Sequence, residues 1–208
     1  MQPPADAEDD WLTPAAGAAV TASVRLPGSK SITNRALILA ALADEPTAIV
    51  GPLHARDSAL MRAAVTALGA TIEDTEYGAG RRPSWTVTPG WRSGRVRVDI
   101  GNAGTVLRFV PPVAALAASD VEFGGDPRAS QRPVGQLLDA LRQAGVQLTD
   151  DGRGAVPFTV HGTGRVRGGP VTLDASSSSQ LVSGLMLAAP RYDQGLQITH
   201  QGGRVPSA

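Results

Sequence analysis

Amphipathic helices recur along this chain. Residues 57–70 and 132–145 both show the apolar spacing of three and four positions that predicts a helix with one buried face. The apolar positions are Leu60, Met61, Ala64, Val65 and Leu68 in the first segment, and Leu137, Leu138 and Leu141 in the second. We expect Asp57 to be the N-cap of the first helix, and we expect Gly69 and Gly145 to end the two helices.

A pair of short strands is predicted after each of these helices. "ATIEDTE" and "SWTVTP" follow the first helix, and "VQLTDD" and "VPFTVHG" follow the second. Short runs rich in β-branched residues between turn signals are typical of strands. The sequence therefore indicates a duplicated unit in which a helix precedes two strands.

Three other helical stretches begin with small polar residues: "PGSKSITNRALILAALA", "GNAGTVLRFVPPVAALAA" and "SSSSQLVSGLMLAAP". Their starts near Ser31, Asn102 and Ser178 lie 71 and 76 residues apart. The pattern predicts an α/β fold of repeated units that begin near residues 30, 101 and 176, each ordered helix, strand, helix, strand, strand. The third unit breaks off after "LQITHQG". Because a repeat unit needs neighbours to cover its apolar face, we expect this chain to be part of a longer one.

Composition excludes several classes of function. The 19 basic and 19 acidic residues give a net charge of zero, which argues against a nucleic-acid or membrane-surface partner. The chain has no cysteine and only three scattered histidines, so we expect no metal site. The apolar run "VLRFVPPVAALAAS" is too short to span a bilayer. The acidic, proline-rich start, residues 1–15, is expected to be a disordered tail and not a targeting signal, which favours a cytoplasmic protein.

The three helix starts are candidate anion sites. A helix N-terminus presents free N–H groups and the positive end of the helix dipole, and the hydroxyl groups here add donors. Arg35 lies one turn after Ser31, while Arg128 and Arg132 precede a helix, where they could grip a carboxylate or phosphate. Ordinary helix capping and solvated surface charge remain alternative interpretations. Together these features favour a small substrate with several negative groups.

Lys30 is the only lysine among the 19 basic residues. One interpretation is a genome whose codons favour arginine. The other is functional, because a compact ammonium on a flexible stem reaches positions that a planar guanidinium cannot. Its place at the start of a candidate anion-binding helix favours the functional interpretation.

Four motifs resemble one known family. "LPGSKSITNRAL", "GNAGTVLRF", "GDPRASQRP" and "SSSSQLVSGLM", in this order, are similar to the 5-enolpyruvylshikimate-3-phosphate synthase family. The resemblance implies repeated βαβαββ units of an inside-out α/β barrel, with the third unit truncated. It further implies that residues 16–29 form a strand and crossover belonging to a second domain. Residues 30–208 would then be a substrate-binding domain that is incomplete at its C-terminal end.

The resemblance also implies a reaction and its residues. The family transfers the enolpyruvyl group of phosphoenolpyruvate to the 5-hydroxyl of shikimate-3-phosphate and releases phosphate, with no metal or organic cofactor. By motif, Lys30 would be catalytic and touch both substrates, and Gly104 would also make room for the inhibitor glyphosate. Shikimate-3-phosphate would be bound by Lys30, Ser31, Arg35, Ser178, Ser179, Gln180 and Ser207. Phosphoenolpyruvate would be bound by Lys30, Asn102, Gly104, Thr105, Arg132 and Gln180.

Departures from the family pattern leave alternatives open. The family's acidic proton-transfer residues lie beyond this chain, so we expect the chain alone to be inactive. We expect the complete protein to be a monomer. The run "SSSS" leaves the serine alignment open by one place unless Gln180 anchors it. A related transferase acting on UDP-N-acetylglucosamine carries Lys-Asn in place of Lys30-Ser31 and usually a cysteine, which this chain lacks. A non-catalytic anion-binding module is the other alternative.

Overall fold

The computed structural model describes residues 15–24 and 26–206. The first unit contains two helices and three strands. These are α1 (Lys30–Ala41), β1 (Thr47–Val50), α2 (Arg56–Leu68), β2 (Thr71–Tyr77) and β3 (Arg82–Thr88). The order matches the predicted unit of helix, strand, helix, strand, strand.

The second unit repeats this order and adds a strand at its start. It comprises β4 (Val96–Asp99), α3 (Gly104–Ala114), β5 (Asp120–Gly124), a 3₁₀ turn (Pro127–Gln131), α4 (Gly135–Gln143), β6 (Gln147–Thr149) and β7 (Phe158–His161). The third unit comprises β8 (Gly169–Leu173), α5 (Gln180–Ala188), a 3₁₀ turn (Ala189–Arg191) and β9 (Leu196–His200). The predicted α/β repeat is therefore confirmed.

Each unit forms its own sheet. The strand orders are β1-β3-β2, β4-β5-β7-β6 and β8-β9. Strands β4 and β5 are parallel, as are β8 and β9, and the helices α3 and α5 form the crossovers between them. The remaining pairs are antiparallel, including the two predicted pairs, β2 with β3 and β6 with β7. Helices α3 and α5 each follow the carboxyl end of the first strand of their unit, so each starts at the carboxyl edge of that strand.

Helices α1, α3 and α5 pack against one another inside the sheets. Helix α3 is the most buried of them, with Phe109 and Val110 fully enclosed. It contains two prolines, and Pro112 has no N–H to donate to the carbonyl of Arg108. Gly184 of α5 lies against that carbonyl oxygen so closely that a Cβ would overlap with it. A glycine here therefore allows the close approach of α5 to α3.

The structure corrects one predicted boundary and confirms two. The N-cap of α2 is Ala55, so Asp57 lies inside the first turn and is not the cap. Gly69 and Gly145 end their helices in the left-handed region, with φ of 127° and 93°, which glycine adopts without a steric penalty. Within the residues that the structure describes, no helix is long and apolar enough to cross a membrane.

Two predicted segments near the N-terminus stay untested. The tail predicted over residues 1–15 lies outside the described residues except for Ala15. Residues 16–24 and 26–29 contain no strand and are largely exposed, with Val20 and Leu26 at 76% and 80% exposure. The strand and crossover expected here, in partnership with a second domain, remain a prediction.

Candidate functional site

The N-termini of α1, α3 and α5 converge at one end of the domain. Asn34 of α1 donates a hydrogen bond from Nδ2 to Oγ1 of Thr105 in α3, at 2.6 Å. A Cβ built on Gly104 of α3 would lie 3.7 Å from Oε1 of Gln180 in α5. Three helix ends with free N–H groups therefore face one region, which makes that region attractive to anions.

Lys30 is the first residue of α1, and its ammonium reaches across to α2. Its Nζ lies 3.0 Å from Oδ2 of Asp57, with 54% of the lysine side chain and 28% of the aspartate side chain exposed. Asp57, the predicted N-cap of α2, instead orients the lysine through its carboxylate. The pair ties α2 to the start of α1 and leaves the ammonium open to solvent.

Arg35 is held by groups that carry no charge. Its Nη1 donates to the hydroxyl of Ser31 and, at 3.3 Å, to the backbone oxygen of that residue. Its Nη2 donates to Oγ of Ser183 at 3.2 Å. The guanidinium also lies over the ring of Phe109, 4.9 Å from its centroid. Its positive charge is therefore oriented but not neutralised.

Two more arginines meet at Gly104. A Cβ on this residue would lie 2.9 Å from Nη1 of Arg108 and 3.1 Å from Nη1 of Arg132. Burial, together with the charge of Arg132, lowers the pKa of Arg108. The Nε of Arg108 is buried without a hydrogen-bond partner. A half-buried cation beside a second cation is unfavourable unless an anion joins them.

The ion pairs of the described residues involve none of these three arginines, Arg35, Arg108 and Arg132. Elsewhere arginines do meet acids: Arg62 bonds both oxygens of Asp74, at 2.8 and 2.9 Å. The contrast shows that the helix ends concentrate uncompensated positive charge. The chemistry that this arrangement supports is the binding of carboxylate or phosphate groups.

The loop after β5 supplies one arginine to the site but not both. The Nε of Arg132 donates to Oδ1 of Asn102 at 2.7 Å, which directs its guanidinium toward Gly104. Arg128 is exposed in the 3₁₀ turn and makes no ion pair or hydrogen bond within the described part of the chain. The structure thus brings Arg132, but not Arg128, next to the start of α3, and a clamp formed by both arginines stays a prediction.

The serine-rich segment before α5 combines capping with free donors. Ser178 Oγ accepts a hydrogen bond from the N–H of Gln180 at 3.2 Å, so this serine does act as a local cap. Ser179 occupies the N-cap position without a side-chain cap bond, and its side chain is half-buried. Gln180 is the first residue of α5 and extends toward Gly104. Ser207, also predicted here, lies outside the described residues.

Thr105, a predicted contact of phosphoenolpyruvate, is buried at the start of α3. Its residue exposure is 4%, and its hydroxyl accepts the hydrogen bond from Asn34. The side chain thus joins α3 to α1 in the interior. This buried hydrogen bond fixes the start of α3 relative to α1.

The site is an open face and not an enclosed cavity. A groove of about 400 Å³ lies elsewhere, on the second sheet beside Arg97 and Thr149. Among residues 15–24 and 26–206, no three His, Asp or Glu side chains gather where they could hold a metal ion.

Sequence reasoning missed Asp57 and Arg108. Asp57 gave no usable signal, because its partner Lys30 is distant in sequence. Arg108 did give one: it follows Gly104 by four residues, just as Arg35 follows Ser31 by four. A repeated cation one turn into equivalent helices is a pattern that could have identified it.

Comparison with known proteins places these features in one family. The family model "EPSP synthase (3-phosphoshikimate 1-carboxyvinyltransferase)" matches residues 14–208. A curated 3-phosphoshikimate 1-carboxyvinyltransferase from Kocuria rhizophila is 52% identical to this chain. The alignment covers 97% of this chain and 47% of the relative. The chain thus spans about half the length of this relative.

Solved structures agree on the fold. Two structures of EPSP synthase from Acinetobacter baumannii superpose with a TM-score of 0.70 at 24% identity, over 87% of this chain. The match covers 40% of one solved chain and 41% of the other. The predicted enolpyruvyl-transferase-like fold is therefore confirmed.

Proposed function

Because this chain belongs to the EPSP synthase family, we propose that it forms one half of an enzyme that transfers an enolpyruvyl group. In that reaction the 5-hydroxyl oxygen of shikimate-3-phosphate forms a bond to the enolpyruvyl carbon of phosphoenolpyruvate. The bond from that carbon to the phosphate oxygen breaks, and the departing phosphate takes up the hydroxyl proton. The observation that carries the proposal is the meeting of Arg108 and Arg132 at Gly104 without a carboxylate.

Shikimate-3-phosphate is proposed to lie across the starts of α1 and α5. Arg35 would receive its carboxylate, since this guanidinium is oriented by uncharged partners and keeps its charge. Ser178, Ser179 and Gln180 would hold its phosphate through hydroxyl and backbone donors at the start of α5. Ser31 would bind the shikimate ring, and Ser207 remains a proposed contact by motif alone.

Phosphoenolpyruvate is proposed to lie at the start of α3. Arg132 would grip its phosphate, with Asn102 fixing the guanidinium from behind. Arg108 would add a second positive charge beside Gly104, because its own environment supplies no anion. The absence of a side chain at Gly104 lets Arg108 and Arg132 come close to the start of α3, where the ligand would bind. Gln180 and Thr105 would complete the predicted contacts.

Lys30 is proposed as the catalytic group of this half. Its ammonium is held by Asp57 at 3.0 Å near the starts of the helices that would bind the two substrates. A positioned cation stabilises negative charge that develops as the bond to phosphate breaks. The remaining acid and base groups are proposed to come from the other half of the enzyme. The complete protein is proposed to be a cytoplasmic monomer.

A matched pair of arginines tests the proposal in the full-length enzyme. Arg132→Gln should lower kcat/KM for phosphoenolpyruvate by about 10²-fold, the usual effect of removing one preorganised donor. Arg128→Gln removes the same charge from the same loop and should stay within about threefold, a difference under 1 kcal/mol. Equal losses in both variants would contradict the site.

The 208-residue chain alone should release no phosphate when mixed with both substrates, because its proposed acid and base partners lie elsewhere. Release above that of a heat-treated control would contradict the division of the site between two halves. Binding of shikimate-3-phosphate without turnover is expected. Failure of the full-length protein to turn over either substrate would favour the non-catalytic anion-binding module.

A further inference from the structure

Ser183 contacts Arg35 although the two residues belong to different units. The guanidinium comes from α1 in the first unit, the ring beneath it is Phe109 of α3 in the second unit, and the hydroxyl is Ser183 of α5 in the third. The residues Arg35 and Ser183 lie 148 positions apart. Arg35 is thus the point at which all three units meet near their helix starts.

The contact depends on how closely α5 approaches α3. Gly184, the neighbour of Ser183, lies against the carbonyl of Arg108, where any side chain would overlap with the oxygen. A Cβ on Gly184 would also lie 3.5 Å from the ring of Phe109. This close approach brings Ser183 within 3.2 Å of Nη2 of Arg35.

The partners of Arg35 share one property: none is an acid. Serine hydroxyls, a backbone carbonyl and an aromatic face restrict the guanidinium without neutralising it. A carboxylate at position 183 would orient the arginine equally well but would compete with any anionic ligand. The choice of a neutral partner preserves the charge for a substrate.

We propose that Ser183 is a positioning residue for carboxylate recognition, which fixes Arg35 in the orientation that receives the carboxylate of the shikimate ring. The inference rests on the proposed function, because it takes Arg35 as the carboxylate-binding group. Ser183 itself touches no substrate. Its effect falls on ligands that carry the ring carboxylate, whether or not they carry a phosphate.

Calorimetric titration of this chain with shikimate and with shikimate-3-phosphate tests the proposal. Ser183→Ala should weaken both ligands by the same factor, about tenfold, as expected for the loss of one hydrogen bond to a charged group. Ser183→Thr keeps the hydroxyl and should restore affinity to within about threefold. Ser183→Asp should weaken both ligands more than Ser183→Ala, because it neutralises the guanidinium.

Thr66→Ala is the matched control, since it removes a hydroxyl from the exposed face of α2 and should change neither affinity. Thermal melts check that each variant folds. If Ser183→Ala is folded and binds like the wild type, the proposal is wrong. If it does not fold, equal affinities of the Thr and Asp variants would overturn the proposal. Absence of binding to the wild-type chain would instead overturn the proposed function, and the inference with it.

Discussion

Replacing Gly104 by alanine should separate folding from ligand binding. The added Cβ would lie 2.9 Å from Nη1 of Arg108 and 3.1 Å from Nη1 of Arg132. Ordinary contact begins at 3.4 Å, so the two guanidinium groups must retreat by about 0.5 and 0.3 Å. Both contacts are with the ends of flexible side chains, so the backbone has no need to move.

The effect on stability should be small or favourable. Gly104 is the first residue of α3 and does not have a positive φ, so alanine fits its backbone. Alanine has a higher helix propensity than glycine by up to about 1 kcal/mol. The effect on binding should be unfavourable, because a displacement of about 1 Å at a positioned group can cost about 10²-fold. Roughly half that displacement predicts a loss of about tenfold.

Two measurements on Gly104→Ala test this reasoning. In the full-length enzyme, KM for phosphoenolpyruvate should rise about tenfold while KM for shikimate-3-phosphate stays within about twofold. The melting temperature should not fall. A matched rise in both KM values, or a clearly lower melting temperature, would refute the assignment of Arg108 and Arg132 to the phosphoenolpyruvate side.

Three other substitutions have defined outcomes. In the full-length enzyme, Lys30→Arg should keep the fold, as checked by circular dichroism, but lower kcat by about 10²- to 10³-fold. The reason is that the guanidinium keeps the charge and changes its position. Activity within about threefold of wild type would support codon bias as the reason for the single lysine. Replacing Ser178 and Ser179 together by alanine should abolish the preference of this chain for shikimate-3-phosphate over shikimate in calorimetry, and unchanged selectivity would exclude a phosphate site there. Burial raises the pKa of Asp150, but hydrogen bonds from the backbone N–H groups of Gly154 and Gly152 and the nearby Arg142 outweigh burial and lower it. The ionised carboxylate thus stabilises the fold above the unfolded pKa near about 4, and this stabilisation is lost as pH falls through the lower folded value. Asp150→Asn should therefore melt lower than wild type at pH 7, and the difference should shrink in melts near pH 3.

The repeat could be predicted from the sequence because its signals are local. The spacing of Leu60, Met61 and Ala64 depends only on residues one helical turn apart, and it predicted α2 to within a residue at its C-terminal end. The strand pairs after α2 and α4 were predicted for the same reason. The small polar residues also marked the three helix starts that converge in the structure.

Local patterns failed where a residue's role depends on a distant partner. Asp57 is a residue type that favours the N-cap position, but α2 begins earlier, at Arg56. The carboxylate of Asp57 therefore lies in the first turn, where it contacts Lys30. The motif that contains Thr105 likewise gave no sign that its hydroxyl bonds Asn34 of α1 in the interior.

The sequence alone thus determined the repeated elements and the candidate cations other than Arg108. Only the tertiary structure decided which of those cations remain uncompensated. Arg62 meets Asp74, whereas Arg35 meets Ser183, which lies 148 residues away, and Arg108 is half-buried beside Arg132. The reason is physical: periodicity depends on neighbours along the chain, but the availability of a charge depends on every group that packing brings within a few ångströms of it.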